Sequence, residues 1–221
     1  MNRKIDIIRT INHIAGEYSS YEVFCDWIRC SAIAIANGCT LNETIWQKRE
    51  DLYLQTIRRY TKEQQTLFQE MLWMLVETLE EEESDVLGEV YMESGMGSKA
   101  AGQFFTPFHL SLLNARTGMR DRIRDFNGET INLYEPSTGG GGMIIAAARV
   151  LREAGINYQR HMRVVAQDLD WKGVYMTYLQ ISLLGIRGIV VQGNTLAEPY
   201  IPGKTPKERI MVTPAEMGVL I

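Results

Sequence analysis

The chain has 221 residues, of which 45% are hydrophobic and 23% are charged, and its formal net charge is −4. This composition is typical of a globular protein, and the net negative charge by itself argues against a protein that binds nucleic acid. The sequence contains no apolar run long enough for a transmembrane helix and no signal peptide. We therefore expect a cytoplasmic protein with no membrane partner. Cys25, Cys30 and Cys39 are an odd number and lack the spacing of metal ligands, so we predict no metal site. Because no export signal is found, we expect these cysteines to be reduced, buried thiols.

Charge is unevenly distributed along the chain. Residues 1–98 contain 9 basic and 17 acidic residues, a net charge of −8, whereas residues 99–221 contain 14 and 10, a net charge of +4. The difference in sign suggests two regions with different surfaces. Most of the acidic excess lies in the run Glu77–Glu93, which we interpret as a solvated helix end. Alternatively, acidic helices can serve as a contact surface that imitates the charge of DNA.

The first region is predicted to be helical. Apolar residues recur at helical spacing in four segments: residues 3–15, 21–37, 43–60 and 67–79. Thr61 and Gln64 have the spacing of a capping box at the start of the fourth helix. Because nothing in residues 1–90 alternates like a strand, we predict an α-helical N-terminal region, residues 1–97. Its Trp and Met residues are assigned to the core.

A glycine-containing joint at residues 94–102 separates this region from a second domain, residues 98–221. Phe104 and Phe105 come next, followed by Thr106, Pro107 and a helical pattern. Thr106 is predicted to cap that helix, with Pro107 in its first turn. The two phenylalanines can staple the helix to the core, or they can form an aromatic wall of a ligand pocket.

The most informative stretch is residues 131–143. A strand-like apolar run ends at Glu135 and Pro136, four consecutive glycines (Gly139–Gly142) follow, and a helical pattern then begins. Glycine permits positive φ and close approach of a ligand to the backbone, and a helix N-terminus attracts negative charge. This pattern is typical of a nucleotide-like ligand at the carboxyl end of a parallel strand. A purely structural strand–helix connection gives the same pattern.

Strands and helices continue to alternate after the glycines. The predicted order is a helix to about residue 154, a strand at 163–167, a helix at 171–184, a strand at 189–192 and a last apolar run at 210–212. This alternation predicts right-handed βαβ units and a parallel sheet. Asp168, Asp170 and Asn194 directly follow strands, where ligands bind in such sheets. Either acid can instead cap the helix that starts at Trp171.

Four motifs in this order are recognisable: GQFFTP (Gly102–Pro107), EPSTGGGGM (Glu135–Met143), QDLD (Gln167–Asp170) and GNTL (Gly193–Leu196). Together they resemble the adenine-N6 DNA methyltransferases of the type I restriction-modification kind. The resemblance covers residues 98–212. It implies an α/β, Rossmann-like, S-adenosylmethionine-dependent methyltransferase fold with a shortened parallel sheet, preceded by the helical region.

The resemblance also implies a bound S-adenosylmethionine. The residues that it assigns to this cofactor are Phe105, Thr106, Pro107, Glu135, Pro136, Gly139, Gly141, Asp168 and Asn194. The first three match the segment that cradles the methionine end, and the glycines match the loop around its amino-acid moiety. Asp168 would accept hydrogen bonds from both ribose hydroxyls, which suits a carboxylate with two oxygens. Asn194 stands where the family usually has Asp, near the adenine amino group.

The sequence departs from the family at its catalytic motif. Family members carry Asn or Asp, two prolines and an aromatic residue, which orient the target amino group and stack on the flipped base. Here Thr213, Pro214, Ala215 and Glu216 occupy that place. Thr213, Pro214 and Glu216 are thus the candidate catalytic residues. Loss of the orienting amide would cost on the order of several kcal/mol of transition-state stabilisation.

Three functions follow as hypotheses. The first is DNA adenine-N6 methylation, completed by a protein partner or a homo-oligomer. The second is a non-catalytic cofactor-binding sensor or inhibitor that acts through a protein partner. The third is other chemistry with the same cofactor, with Glu216 as an acid or base. DNA phosphates would be contacted by four arginines, which otherwise form a solvated helix end: Arg116, Arg120, Arg122 and Arg124.

Overall fold

A computed structural model describes residues 2–96 and 105–219 of the chain. The first of these ranges forms five helices: α1 (Arg3–Ile14), α2 (Ser20–Cys39), α3 (Glu43–Ile57), α4 (Lys62–Glu81) and α5 (Val86–Glu93). The four predicted helices and the absence of strands from residues 2–90 are confirmed. Helix α5 was not predicted, because its start lies inside the acidic run. Most of the predicted joint, the proposed domain boundary and Phe104 lie outside the described residues.

The second range forms an α/β unit. Its elements are α6 (Phe108–Gly118), α7 (Arg120–Arg124), β1 (Ile131–Glu135), α8 (Gly142–Glu153), α9 (Tyr158–His161), β2 (Met162–Asp168), α10 (Trp171–Leu183), β3 (Arg187–Gln192) and β4 (Ile210–Val212). The strands lie in the order β1-β2-β3-β4. The predicted α/β class, with a short sheet preceded by helices, is confirmed.

The direction of the last strand differs from the prediction. Strands β1, β2 and β3 are parallel, with Leu133 beside Val164 and Val164 beside Gly188. Strand β4 is antiparallel to β3, with Met211 beside Val190. A parallel neighbour needs a crossover connection, usually an α-helix, and residues 193–209 contain only a single 3₁₀ turn. The prediction of a wholly parallel sheet is therefore wrong for β4.

The helical region and the sheet share one hydrophobic core. Helices α8 and α10 pack on the sheet, and α2 packs against α10. On the other face of the sheet, Tyr134, Val165 and Ile189 line a groove of about 490 Å³ together with Tyr200 and Pro202. Within the two described ranges, no helix is both long enough and apolar enough to span a membrane.

Two tryptophans of the helical region have opposite environments. Trp27 of α2 is fully buried, donates a hydrogen bond from Nε1 to the Phe68 carbonyl (3.1 Å) and meets Phe24 edge-on at 6.1 Å. Trp73 of α4 is 65% exposed. The prediction that the Trp residues are core is confirmed for Trp27 and wrong for Trp73, because Trp73 lies on the outward side of α4.

The N-terminus of α4 has the capping residues that the sequence predicted. Thr61 Oγ1 accepts a hydrogen bond from the Gln64 amide (3.3 Å), and Gln64 Oε1 accepts one from the Thr61 amide (2.9 Å). This reciprocal pair is the predicted capping box. It satisfies two amides that the first turn of a helix otherwise leaves without partners.

The run Glu77–Glu93 is only partly a solvated helix end, since Glu80, Glu81 and Glu82 are exposed where α4 ends. Arg3 of α1 forms an ion pair with Glu77 (2.9 Å), and Arg152 of α8 forms one with Glu83 (2.5 Å). Glu83 is only 6% exposed. The solvated interpretation is therefore confirmed for Glu80–Glu82 and wrong for Glu83, because Arg152, which is distant in sequence, brings opposite charge to this buried acid.

Candidate functional site

The turn between β1 and α8 has the backbone that its glycines predicted. Gly139 has a φ of +53° and Gly141 a φ of +93°, conformations that favour glycine. The Gly141 amide donates to the Thr138 carbonyl (2.8 Å), and the Thr138 amide donates to the Gln167 carbonyl in β2 (3.0 Å). We call residues 138–142 the glycine turn. It is anchored to the neighbouring strand and leads into the N-terminus of α8.

Asp168, at the end of β2, bonds directly to this turn. Its Oδ2 accepts a hydrogen bond from the Gly139 amide (2.8 Å), and its Oδ1 accepts one from the Asp170 amide (2.9 Å). Since each carboxylate oxygen has two lone pairs, each can accept a further hydrogen bond. Asp170 caps α10 by accepting a hydrogen bond from the Lys172 amide (3.0 Å). One of the two acids is thus a helix cap, as predicted.

Glu135, at the end of β1, brings a second carboxylate to the same place. Burial raises the pKa of Glu135, the Ser137 amide (3.3 Å) lowers it, and the negative charge of Asp168 raises it. Two carboxylates that approach each other favour a cationic group between them. No group of three or more His, Cys, Asp or Glu residues in the described part of the chain could hold a metal ion.

The ring of Phe105 lies against the glycine turn. A Cβ added to Gly139 would lie 2.8 Å from Cδ1 of this ring, so the close contact requires glycine. The Phe105 ring is also 5.1 Å from the ring of Tyr91 in α5. Phe105 therefore forms an aromatic wall beside the turn and connects it to the helical region.

Thr106 and Pro107 are exposed and lead into α6. They line a cavity of about 480 Å³ that also contacts Phe105, Asp85 and α5. Helix α6 begins at Phe108, and Pro107 is its N-cap without a side-chain hydrogen bond. The prediction that Thr106 caps this helix is therefore wrong, because the proline itself occupies the cap position in an extended conformation (φ −52°, ψ 134°).

The loop after β3 joins the same edge of the sheet. Asn194 is exposed, and its Oδ1 accepts a hydrogen bond from the Leu196 amide (3.0 Å). Thr195 Oγ1 donates to the Pro136 carbonyl (2.6 Å), which ties this loop to the one after β1. Leu169 and Leu196 are 67% and 96% exposed. The carboxyl ends of three strands thus combine polar groups with accessible apolar side chains.

The candidate catalytic residues lie at the opposite edge of the sheet. Thr213 is fully buried, accepts a hydrogen bond from the Gly188 amide (2.9 Å) and donates one to the Ile186 carbonyl (2.8 Å). These partners lie at the amino end of β3, whereas the glycine turn follows the carboxyl end of β1. Because Thr213 continues the antiparallel strand β4, the direction of that strand carries it away from the turn.

Pro214 and Glu216 share this location. Pro214 is buried, and Glu216 Oε1 lies 2.7 Å from Nε of Arg163 and 2.6 Å from its Nη2. Arg163 is near the start of β2 and Asp168 is at its end, so about 16 Å of strand separates them. The structure does not bring the candidate catalytic residues together with the candidate cofactor residues.

The four arginines proposed to contact DNA are largely engaged within the chain. Arg116 pairs with Glu153 (3.1 Å), Arg124 pairs with Asp121 (2.9 Å), and Arg122 donates to the Asn132 carbonyl (3.0 Å). Arg120 is exposed. A DNA contact at this cluster stays a prediction.

Three buried polar residues beneath the glycine turn were missed by the sequence analysis: Asp85, Thr177 and Gln180. Thr177 Oγ1 donates to the Gly139 carbonyl (3.0 Å), and Gln180 Nε2 donates to the Gly140 carbonyl (2.7 Å). The helical spacing of Val86, Leu87 and Val90 could have revealed α5 and made Asp85 its cap. Nothing in the sequence pattern separates Thr177 or Gln180 from other residues of α10.

A family model described as N-6 DNA Methylase matches residues 82–215. Among solved structures, the chain is similar to the methyltransferase subunit of a type I restriction-modification system from Streptococcus thermophilus, with 19% identity and a TM-score of 0.46. That match covers 91% of this chain, which spans 41% of the length of the other. No curated protein matches the chain.

Proposed function

The chain belongs to the N-6 DNA methylase family, and we propose that it binds S-adenosylmethionine at the carboxyl ends of β1, β2 and β3. The observation that carries this proposal is the hydrogen bond from the Gly139 amide to Asp168 (2.8 Å). It joins the glycine turn to the carboxylate while leaving acceptor capacity on both carboxylate oxygens. A vicinal diol such as that of ribose fits two such oxygens.

The surrounding residues suit the rest of this cofactor. When bound, S-adenosylmethionine supplies a methyl group activated by a positively charged sulfonium. Glu135 and Asp168 offer negative charge to a cationic ligand. Exposed Leu169 and Leu196 offer apolar contact to a flat base, and Phe105 closes the side of the turn.

We further propose that this chain does not by itself transfer the methyl group to DNA. Adenine-N6 transfer needs an acceptor that orients the target amino group beside the sulfonium. Thr213 is fully buried with its hydroxyl both donating and accepting, and Glu216 pairs with Arg163 and Arg187. Their place at the amino ends of β2 and β3 supports a structural role. A non-catalytic cofactor-binding protein that acts through a partner is therefore favoured over a self-sufficient methyltransferase.

Cofactor binding is tested by calorimetric titration of the chain with S-adenosylmethionine. We expect Asp168→Asn to weaken binding about 10- to 100-fold. The substitution removes the negative charge and one of the two acceptor oxygens that the proposed hydrogen bonds to the ribose hydroxyls need. Asp125→Asn is the matched control, since Asp125 is an exposed acid that pairs with Arg124 (2.7 Å). It should leave the affinity unchanged. Absence of binding by the unmodified chain would reject the proposal, and equal affinity in Asp168→Asn would reject the role of Asp168.

Methyl transfer is tested with cofactor carrying a labelled methyl group and adenine-containing duplex DNA. Under conditions where calorimetry detects bound cofactor, we expect no label in the DNA above a protein-free control. The physical reason is the position of Thr213 and Glu216 at the far edge of the sheet. Label in the DNA that depends on the chain would show that other residues orient the target and would overturn this second proposal.

A further inference from the structure

Asp85 lies beneath the glycine turn. It is 3% exposed, and its Oδ1 accepts a hydrogen bond from the Gly88 amide (2.9 Å), which makes it the N-cap of α5. A Cβ added to Gly140 would lie 2.8 Å from Oδ1, and one added to Gly142 would lie 2.9 Å from Oδ2. The carboxylate therefore fits under the turn only because both positions are glycine.

Gln180 connects this carboxylate to the turn. Its Nε2 donates to Asp85 Oδ1 (2.9 Å) and to the Gly140 carbonyl (2.7 Å), while its Oε1 accepts from the Leu87 amide (3.0 Å). Gln180 is fully buried. One side chain of α10 thus holds the start of α5 and the middle of the glycine turn in a fixed relation.

Helix capping alone does not account for the burial of Asp85. Asn42 caps α3 by the same kind of hydrogen bond (3.0 Å to the Ile45 amide) and is exposed to solvent. Burying a carboxylate is costly unless hydrogen bonds or charges compensate. Burial raises the pKa of Asp85, and the hydrogen bonds from Gln180 and Gly88 oppose that shift. The free-energy cost of burying the Asp85 carboxylate thus arises directly beneath the glycine turn, the segment that faces the proposed ligand.

We infer that Asp85 is a positioning residue for the cofactor site, which acts through Gln180 to fix the backbone of the glycine turn. The inference rests on the proposed function for the identity of the ligand. The hydrogen bonds that link Asp85 through Gln180 to the glycine turn are independent of which ligand binds there. Through α5, the same contact makes the helical region part of the cofactor site.

Two measurements test this inference on the full chain. The first is the affinity for S-adenosylmethionine by calorimetry, and the second is amide hydrogen exchange of residues 139–143, which reports local opening. For Asp85→Ala we expect affinity about tenfold lower and exchange about tenfold faster, as loss of a buried hydrogen bond predicts. Asp85→Asn keeps an acceptor for both hydrogen bonds and should retain affinity within about threefold.

Matched variants separate positioning from capping and from misfolding. Asn42→Ala removes a cap of the same kind far from the turn, and it should lower stability while leaving both measurements unchanged. Gln180→Met keeps Asp85 as the helix cap but removes the hydrogen bonds from Gln180 to Asp85 and to the Gly140 carbonyl. We expect the same loss of affinity and the same faster exchange as in Asp85→Ala. Gln180→Met therefore keeps the inference testable if Asp85→Ala fails to fold. Unchanged affinity and exchange in folded Asp85→Ala or Gln180→Met would overturn the inference. If the unmodified chain does not bind the cofactor, the proposed function fails, and exchange still decides the role of Asp85.

Discussion

Replacement of Trp27 by alanine is expected to lower the free energy of unfolding by about 3–5 kcal/mol, as for other large-to-small core substitutions. The side chain is fully buried in α2, so its removal leaves a cavity. The substitution also removes the hydrogen bond to the Phe68 carbonyl, which leaves that buried acceptor without the indole donor. Urea unfolding followed by circular dichroism measures the change.

Trp73→Ala is the matched control for Trp27→Ala. It removes the same side chain from a position that is 65% exposed, so we expect a change below about 1 kcal/mol. Similar losses in the two variants would contradict the assigned core.

Thr213→Val is expected to destabilise the chain by about 2–4 kcal/mol, because each unsatisfied buried polar group costs about 1–3 kcal/mol. Valine preserves the shape of threonine but removes the hydroxyl. The Gly188 amide then loses its acceptor and the Ile186 carbonyl loses a donor, both in the interior. Affinity of the folded protein for S-adenosylmethionine should be unchanged.

The control for this substitution is Thr117→Val in α6. Thr117 is exposed and donates to the Leu113 carbonyl (2.9 Å), so water can replace its hydrogen bond and the change should stay below about 0.5 kcal/mol. The opposite pattern, preserved stability with lost cofactor affinity, would return Thr213 to the cofactor site and support its catalytic assignment.

Local chemistry was readable from the sequence. Thr61 and Gln64 correctly predicted the start of α4, and the four glycines correctly predicted a turn with positive φ. The alternation of strands and helices predicted the three parallel strands and put Asp168 at the end of one of them, where the structure brings it to the Gly139 amide. Each of these features depends on residues close in sequence or on a general rule of sheet topology.

Features that depend on distant partners were not readable. In the sequence, Glu83 looks as solvated as Glu80–Glu82, and only the structure places Arg152 beside it. Asp85 looks like one acid among several until Gln180, far along the chain, reaches it. The short apolar run of β4 fits either strand direction, and only the absence of a crossover helix after β3 decides between them.

The strand order of the sheet has a kinetic consequence. Every strand pairs only with the strands next to it along the chain, so no pairing has to wait for a strand made much later. The entropy cost of closing each connection is therefore lower than in a sheet whose neighbouring strands lie far apart in the chain. The contact of α2 with α10 spans most of the chain, so docking of the N-terminal helices is the step expected to complete folding.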